Sequence, residues 1–386
     1  MRSSTTALTA MLLTAGACSA SAQSTMPPTS QGVAIVPGLE LFGTLDVMAG
    51  RFKGENTGVN SLDRAESKVD AGGLTTSYLG VRGNRDLPND LSASFELASF
   101  VRNDVGDYGR SDAFGPPVNV SRDPFWSRAA WIGLTSKDFG RVRVGNMTTL
   151  MFVNSITSNA IGDSMTLSPI NLLMFVNSPT TGGTSWTRTV TYDTPNWHGF
   201  YANAQVSVSE GQGGSNYGAR IGYNDGPLAS TFSWQSVKKN PLTFADGTSA
   251  NNSRSLLWSG SYDFQVAKVF ANLGTVANLG TETAPTNIQY KIWSVSSQIP
   301  VQGGKVLLAY GSRDTDDKVG LVPVTLPGGN KERKILTVGY DYLLGAQTDA
   351  YLVAMHDETV SNVLPGPGKL LEATGNGIGL GIRYRF

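Results

Sequence analysis

Apolar and polar residues alternate along most of this chain, most clearly over its last nine residues. Large apolar side chains fall at Ile378, Leu380, Ile382, Tyr384 and Phe386, with Gly379, Gly381, Arg383 and Arg385 between them. A period of two describes a β-strand with two unlike faces. Such a strand belongs either to a solvated sheet or to a barrel wall with lipid outside and a wet lumen inside. The aromatic C-terminus favours the barrel, whose last strand must pair because an open edge cannot exist in a bilayer.

The same alternation recurs from Gly38 onward. Leu39, Leu41, Leu45 and Val47 oppose Glu40, Thr44 and Asp46. In the segment 74–83, Leu79 and Val81 oppose Tyr78 and Arg82. Leu91, Ala93, Phe95 and Leu97 then oppose Ser92, Ser94 and Glu96. In 126–136, Ala129, Trp131 and Gly133 are set against Arg128, Ala130 and Ile132. In 139–146, Val142 and Val144 are set against Arg141 and Arg143. Eleven further segments follow, so the pattern predicts about 16 strands, the even number that bacterial outer-membrane barrels require. The segment 347–357 is ambiguous, with apolar residues on both faces.

Connections alternate in length. Short turns sit near Asp86, Lys137, Asn196, Asp225, Phe264, Gln302 and Gly345. Long polar loops are expected at 50–73, 102–125, 147–185, 209–215, 238–252, 279–286, 314–330 and 358–374. A soluble sandwich has no reason to put its long loops on one rim, whereas a membrane barrel does. A Lys or Arg facing lipid at the bilayer midplane costs roughly 2–4 kcal/mol. Accordingly Arg82, Arg128, Arg141, Arg143, Arg220, Lys291 and Arg383 are expected on the inner side. Aromatic residues near strand ends suit interfacial belts, and equally suit ordinary β-propensity.

Composition narrows the class. The chain has 386 residues, 45 of them Gly, and 16% are charged. No apolar run approaches the roughly 18 residues a membrane helix needs. Residues 1–22 read as a secretory signal: Arg2, an apolar stretch from Ala7 to Ala17, and small residues before Gln23. A lipoprotein signal using Cys18 ranks below it, for want of the usual leucine before the cysteine. Cleavage would leave no cysteine, and 29 basic against 30 acidic residues, a charge of −1 that argues against a nucleic-acid partner. Residues 23–37, rich in proline, are expected to be an unstructured lead-in to a barrel over 38–386.

Catalytic chemistry is hard to find. The two histidines, His198 and His356, fall in a turn and near a strand end. No nucleophile elbow and no cluster with metal-ligand spacing occurs. His356 with Asp357 and Glu358 is the one place where a rim hydrolase could be built, and a solvated rim explains it far better. No catalytic residue, metal site or cofactor is expected.

Several motifs carry a family likeness. They include Leu79-Gly-Val-Arg-Gly83 with Asp86-Leu87, and Arg128-Ala-Ala-Trp-Ile-Gly-Leu134 before Phe139-Gly140. Others are Val190-Thr-Tyr-Asp-Thr-Pro-Asn-Trp-His-Gly-Phe200, Gly339-Tyr-Asp-Tyr-Leu-Leu344 with Thr348-Asp-Ala-Tyr351, and the terminal Arg383-Tyr-Arg-Phe386. Together they resemble the general porins of Gram-negative outer membranes, especially the beta-proteobacterial kind. The resemblance implies a sixteen-stranded all-β transmembrane barrel, assembled as a homotrimer, whose third outer loop folds inward. It implies passive diffusion of small hydrophilic solutes, contact with outer-membrane lipid and lipopolysaccharide, and insertion by the barrel-assembly machinery reading Tyr384 and Phe386. A surface adhesin or receptor, or a substrate-specific porin, are the alternative uses of such a barrel. Small outward residues (Gly43, Ala49, Ala93, Ala129, Gly133) are a modest cue to trimer packing.

The loop at 147–185 stands where the family's constriction loop should be. It lacks the family's Pro-Glu-Phe-Gly stretch, Asp163 is its one charge, and Met151-Phe-Val-Asn-Ser155 recurs as Met174-Phe-Val-Asn-Ser178. Tyr78 stands where many relatives carry a pore-facing arginine. Arg82 and Arg128 match the family's basic cluster, and parity adds Arg141 and Arg143. Glu96, Asp46 and Asp163 oppose them, and Arg188 is of doubtful direction beside Val190 and Tyr192. An excess of two arginines in a narrow pore implies weak anion preference.

Overall fold

A computed structural model describes residues 32–53, 65–110, 124–175, 182–209, 214–238, 252–279, 286–319, 331–361 and 371–386. The expected signal at 1–22 and most of the lead-in lie outside these residues. One antiparallel sheet contains β1 (Val33–Val36), β2 (Leu39–Lys53), β3 (Glu66–Ala71), β4 (Tyr78–Leu87), β5 (Leu91–Arg102) and β6 (Asp107–Tyr108). It continues through β7 (Ala129–Ser136), β8 (Gly140–Thr148), β9 (Ser185–Asp193), β10 (Phe200–Ser207), β11 (Asn216–Asp225) and β12 (Leu228–Val237). The series ends with β13 (Asn252–Asp263), β14 (Lys268–Leu279), β15 (Thr286–Val301), β16 (Gly304–Val319), β17 (Lys331–Leu343), β18 (Thr348–Ser361) and β19 (Leu371–Arg385). Two short helices, α1 (Leu150–Thr157) and α2 (Pro169–Met174), interrupt the strands between β8 and β9.

The sheet closes on itself. β19 pairs with β2 from Asn376↔Lys53 to Arg385↔Thr44, so no edge is left at the seam. β3 and β4 pair with the outer and inner halves of β2 and together make one wall strand, giving a closed barrel of 16 strands. The Phe386 backbone exchanges two hydrogen bonds with Gly43 (2.8 and 3.1 Å), and its ring covers that glycine. Tyr384 and Phe386 stack at 5.8 Å. Gly379 and Gly381, which break up the apolar repeat of β19, have the Met48 and Tyr351 side chains lying over them on the inner face. A larger residue there would displace those side chains.

Alternation sorts the side chains as expected in most strands. Ile132, Leu380 and Leu273 are 65%, 62% and 58% exposed on the outside, values tolerable in lipid and costly in water. Rings pair near the short-turn rim: Phe200 with Tyr223, Tyr262 with Phe264, Tyr340 with Tyr342. That placement on one rim favours the interfacial belt over simple propensity.

Four local expectations are corrected. Residues 33–36 of the lead-in form β1, a β-branched arm that turns at Gly38 (φ +81°) and pairs with β2. The strand expected at 74–83 starts only at Tyr78, because Asp46 holds Thr75 and Ser77 off the ladder, and β3 forms within the expected loop 50–73. In β7 the faces are reversed: Ile132 and Leu134 point outward, while Trp131 turns in toward Arg141 and Arg143 (5.9 and 5.3 Å). Ala129 and Gly133 therefore line the inside and leave the set of small outward residues. Lys291 faces outward with Trp293 and Val295, opposite Asp314, because the inner face of β15 presents Tyr290 and Ile292 to the loop. It lies toward the outer end of β15, where a charge costs least.

Candidate functional site

The chain between β8 and β9 enters the barrel and crosses it. Thr149 starts α1 by accepting a hydrogen bond from the Phe152 amide (3.2 Å), an N-cap. Asn154 donates to the Leu257 carbonyl on β13 (3.2 Å). The chain next meets β14 and β15, where Asn272 donates to the Ser158 carbonyl (3.0 Å) and Gln298 to that of Ala160 (2.8 Å). It then crosses to the segment beside β3, where Ser164 donates to the Gly73 carbonyl (2.6 Å). It returns to the far wall: Thr337 donates to Leu167 O (2.7 Å) and Arg313 to Leu173 O (3.1 Å).

Apolar packing fixes this path. Met151, Ile170, Leu173 and Met174 are buried against Leu257, Val276, Ile292 and Ile335 of the wall. A second cluster joins Ile161 and Leu167 to Met48, Leu307, Tyr351 and Val353. Burying side chains of this size contributes roughly 1.5–3 kcal/mol each. The repeated Met-Phe pair gains a physical account here. Met151 and Met174 share one cluster, and Phe152 meets Phe175 edge to face at 5.0 Å. The rest of the second copy, 176–178, lies outside the described residues. The same packing explains the ambiguous segment in β18, whose Tyr351 and Val353 point inward under the loop.

The opposite wall is polar. Arg141 and Arg143 share one carboxylate, Asp193, at 3.1 and 3.0 Å. Asn203 also donates to Asp193 (2.8 Å) and accepts from Arg220 (2.8 Å), whose guanidinium lies over Tyr201. Arg82 pairs with Glu40 (2.7 Å). Arg128 precedes β7 at a bend, which carries it into the lumen despite the reversed parity of that strand. It lies over the Tyr78 ring at 3.6 Å and pairs with Glu96 at 3.6 Å. Tyr78, buried and inward, thus serves as a platform for a guanidinium.

Asp46 points inward but is fully buried, accepting from the Thr75 amide (2.9 Å) and from Tyr351. It holds the chain at 73–75 and presents no charge to open water. Asp163 binds the Thr75 side chain and faces Arg128 and Arg383. Burial pushes its carboxyl above the ordinary range, against the pull of those two arginines. Arg188 lies outside, at φ +54°. Arg383 was legible by parity but absent from the expected pore cluster; it bridges Asp349 (2.7 Å), Asp341 (3.2 Å) and Thr75 (2.9 Å) beside the seam.

A cavity of ≈ 40 Å³ remains between the loop and this wall, bounded by Phe152 and Met165 on one side and Arg128 on the other. Among the described residues no group of His, Cys, Asp and Glu has metal-binding geometry. His356 contacts Asn376 (2.7 Å) on the outer surface.

The sequence matches the Gram-negative porin family over residues 5–362. An outer membrane porin protein of Bordetella pertussis is 23% identical over 354 residues, covering 80% of this chain and 82% of that one. The fold is similar to the anion-selective porin from Comamonas acidovorans, with TM-score 0.70 and 21% identity over 90% of this chain and 99% of that one. It is also similar to the trimer form of OmpT from Vibrio cholerae, with TM-score 0.63 and 15% identity over 90% and 99%. A closed sixteen-stranded wall with lipid-suited residues outside and a polar, loop-narrowed interior is a channel and not an enzyme, and this chain belongs to the Gram-negative porins, which let small hydrophilic solutes diffuse across the outer membrane.

Proposed function

We propose that this porin passes small anions in preference to cations, with the loop between β8 and β9 setting the size limit. One observation carries the reading. Among the described residues, strands β7 to β11 turn three guanidiniums into the lumen (Arg141, Arg143 and Arg220) against one carboxylate, Asp193. The pairs Arg82–Glu40 and Arg128–Glu96 are balanced, so the wall keeps an excess of two positive charges. In a narrow passage those charges act across less screening water than on an open surface. The zero-current potential across a KCl gradient tests this, with a chloride-selective sign expected. A potassium-selective sign would end the idea.

The working form is a homotrimer embedded in lipopolysaccharide and lipid. Ala49 and Ala93 offer small positions on the outer face for close approach of neighbouring walls, whereas the Phe386 ring covers Gly43. The trimer form of the Vibrio cholerae protein supports the same reading. Cross-linking before unheated gel migration should give a three-subunit band, and monomer alone would count against it. The stacked Tyr384 and Phe386 at the closing strand are the signal for the assembly machinery. Deleting Phe386 should lower the amount of folded porin in the outer membrane.

A further inference from the structure

In the throat, the guanidinium side is faced by a loop with one carboxylate and several hydrocarbon side chains. Asp163 is the single charged residue between 147 and 185, hydrogen-bonded to Thr75 and shared between Arg128 and Arg383. Beside Asp163, the loop's cavity-facing side chains are Phe152 and Met165, half-buried on the apolar cluster and still presenting surface to the gap. Ile156 extends that surface, and Phe100 of β5 bounds the same space.

Across the gap, Arg128 lies flat on Tyr78 with its side chain 9% exposed. Its Nη1 is buried beside Glu96 at 3.6 Å, so the guanidinium acts on a passing solute through its field and not by direct contact at that atom. The carboxylate of a passing anion is drawn to the guanidinium side by that field. The remainder of the same anion would then lie against Phe152 and Met165. For a polyhydroxylated or inorganic anion, that contact strips water from polar groups with nothing in return. For a hydrocarbon skeleton it removes apolar surface from water.

We propose that, among anions, this throat favours monocarboxylates with an apolar body: aromatic, alicyclic or branched aliphatic acids. The proposal rests on the anion reading above and names the solute class for the same passage. Such a contact must stay weak, because a solute held tightly does not leave the channel.

Cyclohexanecarboxylate and quinate make the test, since both carry one carboxylate on a six-carbon ring and quinate adds four hydroxyls. Bi-ionic reversal potentials against chloride, corrected for mobility in bulk water, give each permeability. Cyclohexanecarboxylate should exceed quinate by about fourfold, the worth of a single buried methylene. Equal permeabilities, or a preference for quinate, overturn the proposal while a chloride-selective KCl potential leaves the anion reading standing. A potassium-selective KCl potential removes both. Phe152→Ser combined with Met165→Ser, in barrels shown to be folded by heat-modifiable gel mobility, should bring the ratio close to one. A ratio unchanged in that variant also overturns the proposal, and the unmodified protein alone decides if the variant does not fold.

Discussion

Single side chains in this pore act through the partners they are held by. Arg128 is fixed from below by the Tyr78 ring and from the side by Glu96, so its charge has a defined place beside the loop. A stacked guanidinium of this kind gains roughly 0.5–2 kcal/mol. Replacing Arg82 and Arg128 together with Ala leaves Glu40 and Glu96 without their ion pairs. The chloride-selective zero-current potential should therefore shrink, and an unchanged potential would show that these two residues lie off the ion path. Asp163 acts in the opposite direction. Because burial raises its pKa, it loses its charge at higher pH than an ordinary carboxylate as the solution is acidified. Each Asp163 neutralised removes a negative charge facing Arg128, so chloride selectivity should rise as pH falls below neutral. Asp163→Asn already lacks that charge at neutral pH. It should start more chloride-selective and change less on acidification, the remaining change coming from the other lumen carboxylates.

Among elements, the loop with α1 and α2 departs most from a plain barrel. Its grip is apolar packing together with single hydrogen bonds to wall strands, and the ladder of the barrel does not depend on it. Truncating Ile170 and Leu173 to Ala removes two buried anchors, at roughly 2–5 kcal/mol each. The expected result is a larger and noisier single-channel conductance with unchanged heat-modifiable gel mobility. Conductance equal to that of the unmodified protein would show that the loop does not set the passage. The same packing marks where the sequence could be read and where it could not. The strands β9 to β12 and β19 alternate cleanly because lipid lies on one side and polar groups on the other. In β13 to β18 the inner face is partly dry: Leu257, Ile292, Leu307 and Val353 sit under the loop, so apolar residues occur on both sides. A period-two reading has no way to know that a distant segment will cover an inner wall. The reversal in β7 has another cause. Trp131 turns inward for the two arginines of β8, a cross-strand contact that neither strand shows alone.

At the scale of the whole molecule, formal charge and local charge diverge. The chain sums to zero and its expected mature form to −1, so net charge alone says nothing of anion preference. The preference comes from geometry, with Arg141, Arg143 and Arg220 turned inward on β8 and β11 against the one carboxylate of Asp193, and with Arg383 paired at the seam. Arg383 lies 2.7 Å from Asp349 and 3.2 Å from Asp341, and Arg385 also contacts Asp349. That side therefore adds little to the field along the passage. An excess of two charges spread over one wall is a modest source, and mobile ions screen it. The Debye length falls from about 10 Å at 0.1 M salt to about 3 Å at 1 M. At the lower concentration the field of the arginine wall reaches the axis of the throat, and at the higher one it reaches little beyond the guanidiniums themselves. The chloride-to-potassium permeability ratio should therefore decline steadily as the mean KCl concentration is raised at a fixed gradient. A ratio that holds constant across that range would mean selection by tight, direct contact with a bound anion and not by the field of the wall.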